Sequence, residues 1–145
     1  MELNKLLEGL INEEFLDVSI YNAEAGLFAD KLIGGARIAE IFSAFAREEA
    51  EHALALMKIT GQKGGVKTEK ISVGSSLRRC LEMHIKREIL SVNTYNELLE
   101  RLAAPEHKMI IKGIIAQETG HLRAVTDYLA KIRAANEKNP PPGPR

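Results

Sequence analysis

The sequence predicts an all-α protein, a four-helix bundle with a long crossover between helices 2 and 3. Four stretches carry apolar residues at alternating steps of three and four, the repeat of a helix that buries one face. Glycine, serine or proline punctuates the breaks between them. Each seam is interrupted near its middle by a glutamate, and in two of the four a histidine follows it three residues later. The 145 residues, 45% hydrophobic and 28% charged, suit one domain with a single core. The expected division is a bundle over residues 1–135 and a Pro-rich flexible tail over 136–145.

Helix 1 is expected from about Leu3 to Lys31, along the seam Leu3, Leu7, Leu10, Glu14, Val18, Tyr21, Ala25, Phe28. Gly9 and Gly26 are its weak points. Gly26 reads either as a residue that lets another helix approach or as an ordinary tolerated glycine. Gly34 and Gly35 break the pattern over a short span, so helices 1 and 2 pack as an antiparallel hairpin. Helix 2 follows Ile38, Phe42, Phe45, Glu49, His52, Leu56, Ile59 from about Ala36 to Thr60, with Gly61 suited to its C-terminal cap. The polar, Gly-rich link from Gln62 to Gly74 decides the topology. Thirteen extended residues span at most about 43–47 Å, and a 25-residue helix is about 38 Å long. A short turn needs no such length. The link therefore reads as a crossover that starts helix 3 at the opposite end of the bundle; a surface loop in an up-down-up-down bundle is the other reading.

Ser75 or Ser76 suits the N-cap of helix 3. That helix follows Leu77, Leu81, His84, Glu88, Val92, Tyr95, Leu99, Leu102 to about Ala103. Pro105 fits the first turn of helix 4, whose seam is Ile111, Ile114, Glu118, His121, Val125, Tyr128, Ile132 and which ends near Ala135. From Asn139 to Arg145 four prolines give a polyproline-like end.

A net charge of zero and the lack of a basic stripe argue against nucleic acid as a partner. No stretch is long and apolar enough to cross a membrane, and the first residues are amphipathic and acidic, unlike a signal peptide. Cys80 is the single cysteine, so a disulfide framework, a zinc ribbon and a thiolate-held iron centre are excluded within these residues. A reducing cytoplasm is the simplest location.

The chemistry lies in the polar groups on the seams. Their order is Glu14, then Glu49 with His52, then Glu88, then Glu118 with His121. This weak internal repeat extends to Tyr21 and Tyr95, each seven residues after its glutamate. Two hairpins related by a pseudo-two-fold axis bring all six groups to one midpoint. With 17 glutamates in the chain, two of four histidines follow a glutamate at this spacing by accident about 7% of the time, before seam placement is required. Lone charges on a buried face are costly. A metal ion compensates them, because Glu and His at i, i+3 project side by side. The competing reading is a buried hydrogen-bonded set that fixes helix register.

Four carboxylates and two imidazoles without thiolate suit two ions of iron or manganese. Glu49 and Glu118 are placed to bridge, Glu14 and Glu88 to cap, and each histidine to take one ion, leaving open positions for oxygen or peroxide. The seam glutamates carry −4 and the rest of the chain +4, which is consistent with two divalent cations. Tyr21 and Tyr95 either hold carboxylates of neighbouring helices or are core tyrosines. His84 reads as a seventh ligand, a proton donor, or a partly exposed helix histidine. Glu48 and Glu51, on the shoulders of helix 2, are expected to be solvated, with Glu51 also able to support a ligand. Glu97 is angled away.

These residues resemble the rubrerythrin-type branch of the ferritin-like superfamily. Ile38 to Phe42 followed by Glu48, Glu49, Ala50, Glu51, His52 and Ala53 is similar to its second-helix signature. Glu14 with Tyr21 and Glu88 with Tyr95 resemble its first- and third-helix motifs, and Glu118 with His121 its fourth, so that the likeness covers about residues 3–135. The resemblance implies a ferritin-like bundle, a site for two Fe ions, and reduction of hydrogen peroxide or oxygen coupled to iron oxidation. It also implies a homodimer, either closed or helix-swapped. Two departures stand out. Rubrerythrins proper carry a rubredoxin-like iron domain with paired cysteines, so a separate electron donor such as a rubredoxin is expected here. Ser91 also occupies the position of a second third-helix glutamate, which puts in doubt a metal that shifts between ligands.

The leading expectation is thus a non-haem di-iron peroxidase or ferroxidase. Iron storage within a larger shell is the alternative, and a structural bundle that holds zinc is a third. Alkane or fatty-acid oxygenation is disfavoured for want of a recognisable substrate tunnel.

Overall fold

The computed structural model describes residues 2–30, 34–61 and 76–138. They form four helices: α1 (Leu3–Phe28), α2 (Gly35–Thr60), α3 (Leu77–Arg101) and α4 (Pro105–Lys138). Helix α1 stops three residues before the expected Lys31, and α4 extends three beyond Ala135. The link from Gln62 to Gly74, Ser75 and the tail from Asn139 lie outside the described residues.

The local signals explain the boundaries. Gly34 has φ 77° and stands just before α2, a left-handed conformation that glycine adopts without strain. Gly35 is fixed by contact: a Cβ there would lie 2.0 Å from the Phe28 carbonyl oxygen. The hairpin therefore closes with α2 beginning directly against the end of α1. Gly61 caps α2 with φ 68°. Ser76 caps α3, its hydroxyl accepting from the Arg79 amide at 3.4 Å. Gly26 meets nothing within 4 Å, so it is an ordinary exposed glycine and brings no helix closer.

Two apolar clusters fill the two ends of the bundle. One joins Leu7 and Leu10 of α1 to Leu56 of α2, Leu98 of α3 and Ile111 of α4. The other joins Phe28, Phe42, Leu81 and Val125. The first holds the start of α1 and α4 and the end of α2 and α3; the second holds the reverse. Helices α2 and α3 are therefore parallel, and α3 begins at the end of the bundle opposite to that where α2 finishes. This is the crossover topology. Helix α1 packs on α2 and α3, and α4 on α3 and α2. Each fully buried Leu, Ile or Phe contributes about 1.5–3 kcal/mol, which offsets the cost of what lies between the clusters: a layer of buried carboxylates and imidazoles.

Candidate metal centre

Between the clusters all four helices turn a polar side chain inward. Glu14 comes from α1, Glu49 and His52 from α2, Glu88 from α3, and Glu118 and His121 from α4; none is more than 3% exposed. They form two sets whose ligand-type atoms lie within 4.8 Å of one another: Glu14, Glu49, His52 and Glu118, and Glu49, Glu88, Glu118 and His121. Glu49 and Glu118 belong to both. The His52 and His121 ring centroids are 6.3 Å apart.

The hydrogen bonds have a consistent logic. Each outward atom is held and each inward atom is bare. Tyr95 donates to Glu14 Oε1 at 2.6 Å, and Tyr21 donates to Glu88 Oε1 at 3.0 Å. Ser91 donates to Glu118 Oε2 at 3.0 Å. His52 Nε2 lies 2.5 Å from Gln117 Oε1, and His121 Nε2 bonds Glu48 Oε2. Both of those partners are oxygen acceptors, so each Nε2 carries the proton and each Nδ1 presents its lone pair inward when the ring is neutral. Seven buried atoms among the described residues are left with no hydrogen bond: Glu14 Oε2, both oxygens of Glu49, His52 Nδ1, Glu88 Oε2, Glu118 Oε1 and His121 Nδ1. His52 Nδ1 is 2.8 Å from Glu118 Oε1, and His121 Nδ1 is 3.0 Å from Glu49 Oε1. These are close approaches without hydrogen-bond alignment. Buried polar atoms are nearly always satisfied, and seven bare ones from six residues converging on one place fit a pair of cations.

Without a cation, protons fill that role. Burial, with Glu118 and Glu14 beside it, pushes the Glu49 carboxyl far above the usual range. Burial also raises Glu88, to about 8, against the opposing pull of His121. Burial alone would lower the His52 imidazole, but the contacts with Glu118 and Glu14 dominate and hold it at about 10. His121 is raised in the same way by Glu88 and Glu48. Glu118 moves the other way: burial would raise it, yet its contacts to His52, Glu49 and Glu88 hold it below the ordinary value. Burial and the adjacent carboxylates keep Tyr21 and Tyr95 well above the usual phenol range, so both remain donors.

The structure corrects two readings of the sequence. His84 is neither among the gathered groups nor partly exposed. It is 1% exposed, with Nε2 at 2.8 and 3.0 Å from the two oxygens of Glu24, and its ring stacks on Tyr21 at 4.1 Å and 4°. Glu48 is not simply solvated, since it holds His121. Glu51 and Glu97 are exposed.

Three further groups escaped the sequence reading: Glu24, Asp17 and Gln117. Glu24 is fully buried as the partner of His84. Asp17, 5% exposed, accepts from Arg87 Nε at 2.7 Å, and Arg87 also reaches Glu13 at 2.8 Å. Burial pushes the Asp17 carboxyl up to about 7 against the pull of Arg87. A signal for the two acids existed: Leu10, Glu14, Asp17, Tyr21, Glu24 and Phe28 also step by four and three.

Among the described residues no helix is long and apolar enough to cross a membrane. No curated protein matches the chain. The family model described as rubrerythrin matches residues 5–129, a span that contains all six converging residues and both tyrosines that orient them; the chain belongs to the rubrerythrin family.

Proposed function

We propose that the protein is a di-iron carboxylate oxidoreductase that reduces hydrogen peroxide or oxygen. The observation that carries this reading is the convergence of seven bare buried atoms in two sets sharing Glu49 and Glu118. Oxygen and nitrogen donors without thiolate favour iron or manganese. When bound, an iron pair supplies two electrons, each ion passing from Fe(II) to Fe(III).

The chain's own residues do the rest. Glu14, Glu49 and Glu118 with His52 would hold one ion, and Glu88, Glu49 and Glu118 with His121 the other. Tyr21 and Tyr95 fix the outer carboxylates across the α1–α3 interface, which presents one oxygen of each inward. Gln117 and Glu48 fix the histidine tautomers. The apolar clusters on both sides keep bulk water out, so charges at the centre interact in a low dielectric. Metal binding displaces the protons held on Glu49, Glu88 and the imidazoles.

These 145 residues hold one cysteine, too few for a paired-cysteine iron site among them; the proposed source of electrons is a donor such as a rubredoxin. A cytoplasmic homodimer is the proposed setting. Exposed Met109 and Ile110 on α4 offer apolar surface for a second copy, and sedimentation velocity checks it.

The test is an anaerobic Fe(II) titration of the metal-free protein, then one pulse of hydrogen peroxide followed by stopped-flow absorbance. Two irons per chain, rapid oxidation and recovery with a reductant are expected. Tight binding with slow oxidation would favour storage or another metal. No binding would remove the assignment.

A further inference from the structure

The centre is closed on most sides. The apolar clusters cover both ends. On the α2–α4 side the bonds from Gln117 to His52 and from Glu48 to His121 close the face. The α1–α3 side differs. A cleft of about 250 Å³ opens there, with Leu6, Leu10 and Leu90 as apolar walls and Ser91 among its lining. Ser91 is also the residue whose hydroxyl reaches Glu118. One side chain thus joins the cleft to the centre.

The size of the cleft bears on what it takes. Water occupies about 30 Å³ in the liquid, and hydrogen peroxide is little larger. The cleft holds several times that. Its mixed character is informative too. Leu6 and Leu10 are buried in the floor, while Leu90 is 65% exposed at the rim. Arg87, Asp17 and Glu13 of the lining are spent on one another, because Arg87 is clamped between the two acids, while Lys5, exposed, stands at the rim. What remains is a largely apolar hollow with two hydroxyls, Thr94, which donates to the Leu90 carbonyl at 2.7 Å, and Ser91, set toward the centre. That matches a molecule with an apolar body and one small polar end. Gly9 lines the opening, and a Cβ there would meet nothing within 4 Å.

We infer that the α1–α3 cleft is a binding site for an organic hydroperoxide, R–O–O–H, with R against the leucines and the peroxide end toward Ser91. This rests on the peroxidase reading above. The reaction balances as ROOH plus two electrons and two protons giving ROH and water. The O–O bond breaks; an Fe(II) pair held as in the proposed function would supply the two electrons, and the external donor would restore them.

Binding can be tested without turnover, using 2-phenyl-2-propanol, the alcohol that cumene hydroperoxide leaves. Full-length protein with zinc in place of iron and ¹³C-labelled leucine methyls is titrated with the alcohol and followed by NMR. Shifts centred on Leu6, Leu10 and Leu90 are expected. Gly9→Leu, which fills the hollow and replaces a helical glycine, should abolish them, whereas Gly9→Ala should retain them. No shifts in the millimolar range, or shifts that survive Gly9→Leu, would overturn the site, and so would a second copy of the chain found covering the cleft in solution. With iron bound, Gly9→Leu should lower the ratio of cumene hydroperoxide to hydrogen peroxide rates at least tenfold; an unchanged ratio would also overturn it. If the wild type reduces neither peroxide, the peroxidase reading fails, and the alcohol titration reports on the cleft by itself.

Discussion

Tyr21 and Tyr95 stand at matching places in the two hairpins, yet their surroundings differ. Three residues beyond Tyr95 is Leu98, and four residues before Glu14 is Leu10; both lie with Tyr95 in an apolar cluster. The corresponding positions at the other end are Glu24, three beyond Tyr21, and His84, four before Glu88. These two form a buried hydrogen-bonded pair against the Tyr21 ring. The difference separates what the centre needs from what it tolerates. The glutamate and the tyrosine hydroxyl recur in both halves. The layer outside them is apolar at one end and polar at the other. A buried pair of this kind is weak evidence for stability, so its role is better sought in how it holds Tyr21 against Glu88.

The largest effects are expected where the two halves agree. Glu49 and Glu118 serve both sets of ligand atoms, while His52 and His121 serve one each. Glu49→Ala or Glu118→Ala should bring metal content from two per chain to near zero. His52→Ala or His121→Ala should leave about one ion, since the other set keeps its imidazole. Metal analysis after dialysis checks this. Equal losses from all four would break the division into shared and unshared positions.

Next come the outer layers. Glu24→Leu alone leaves His84 buried beside an apolar side chain, and should cost about 3 kcal/mol of stability. His84→Leu alone, which strands Glu24, should do the same. The double change makes this end resemble the Leu10–Leu98 end and should recover most of the loss. Urea unfolding of the metal-free proteins measures it. A double variant as unstable as the sum of the singles would show that the pair holds the Tyr21 end in a way leucines cannot.

A smaller effect follows from protonation. In the metal-free protein Glu88 is raised to about 8 and His52 to about 10. Both groups keep their protons longer folded than unfolded. Stability tied to Glu88 is therefore lost as pH rises toward 8, and stability tied to His52 as pH rises from about 6.5 through 10. Glu118, shifted down, acts in the opposite sense and only in acid. The metal-free protein should be less stable, with a lower Tm, at pH 9 than at pH 6. With metal bound the trend should reverse, because cations and protons compete for the same atoms. Thermal scans at the two pH values, with and without zinc, decide it.

Much of this architecture was legible because the six inward groups sit on apolar seams, where a polar letter stands out. The hairpins followed from Gly34, Gly35 and Pro105, and the crossover from the length of the link. The outer layer was harder to read for a definite reason. After Glu14 the seam can step to Asp17 or Val18, and after Tyr21 to Glu24 or Ala25. The apolar seam takes Val18 and Ala25; the buried face has Asp17 in place of Val18 and Glu24 alongside Ala25. On α3 the same fork hid Leu98 behind Leu99. Gln117 and Glu48 each lie one residue before a seam glutamate, where helical phase alone predicts solvent. Only the packing of α2 against α4 turns them toward the opposite histidine.

That last pair gives the finest test of the comparison. His52 leans on a neutral carboxamide and His121 on a carboxylate. A carboxylate partner makes the ligating imidazole a stronger base, and a carboxamide does so less. Glu48→Gln makes the two arrangements alike and keeps an acceptor for His121 Nε2–H. It should weaken one of two Co(II) ions by about threefold, against the 10- to 100-fold typical when such a partner is removed outright. Gln117→Glu should strengthen the other ion by a similar factor. Cobalt titration followed by visible absorbance resolves the two if their affinities differ. Should Glu48→Gln leave both affinities unchanged while Glu48→Ala weakens one, orientation of the ring rather than the partner's charge would be what Glu48 supplies.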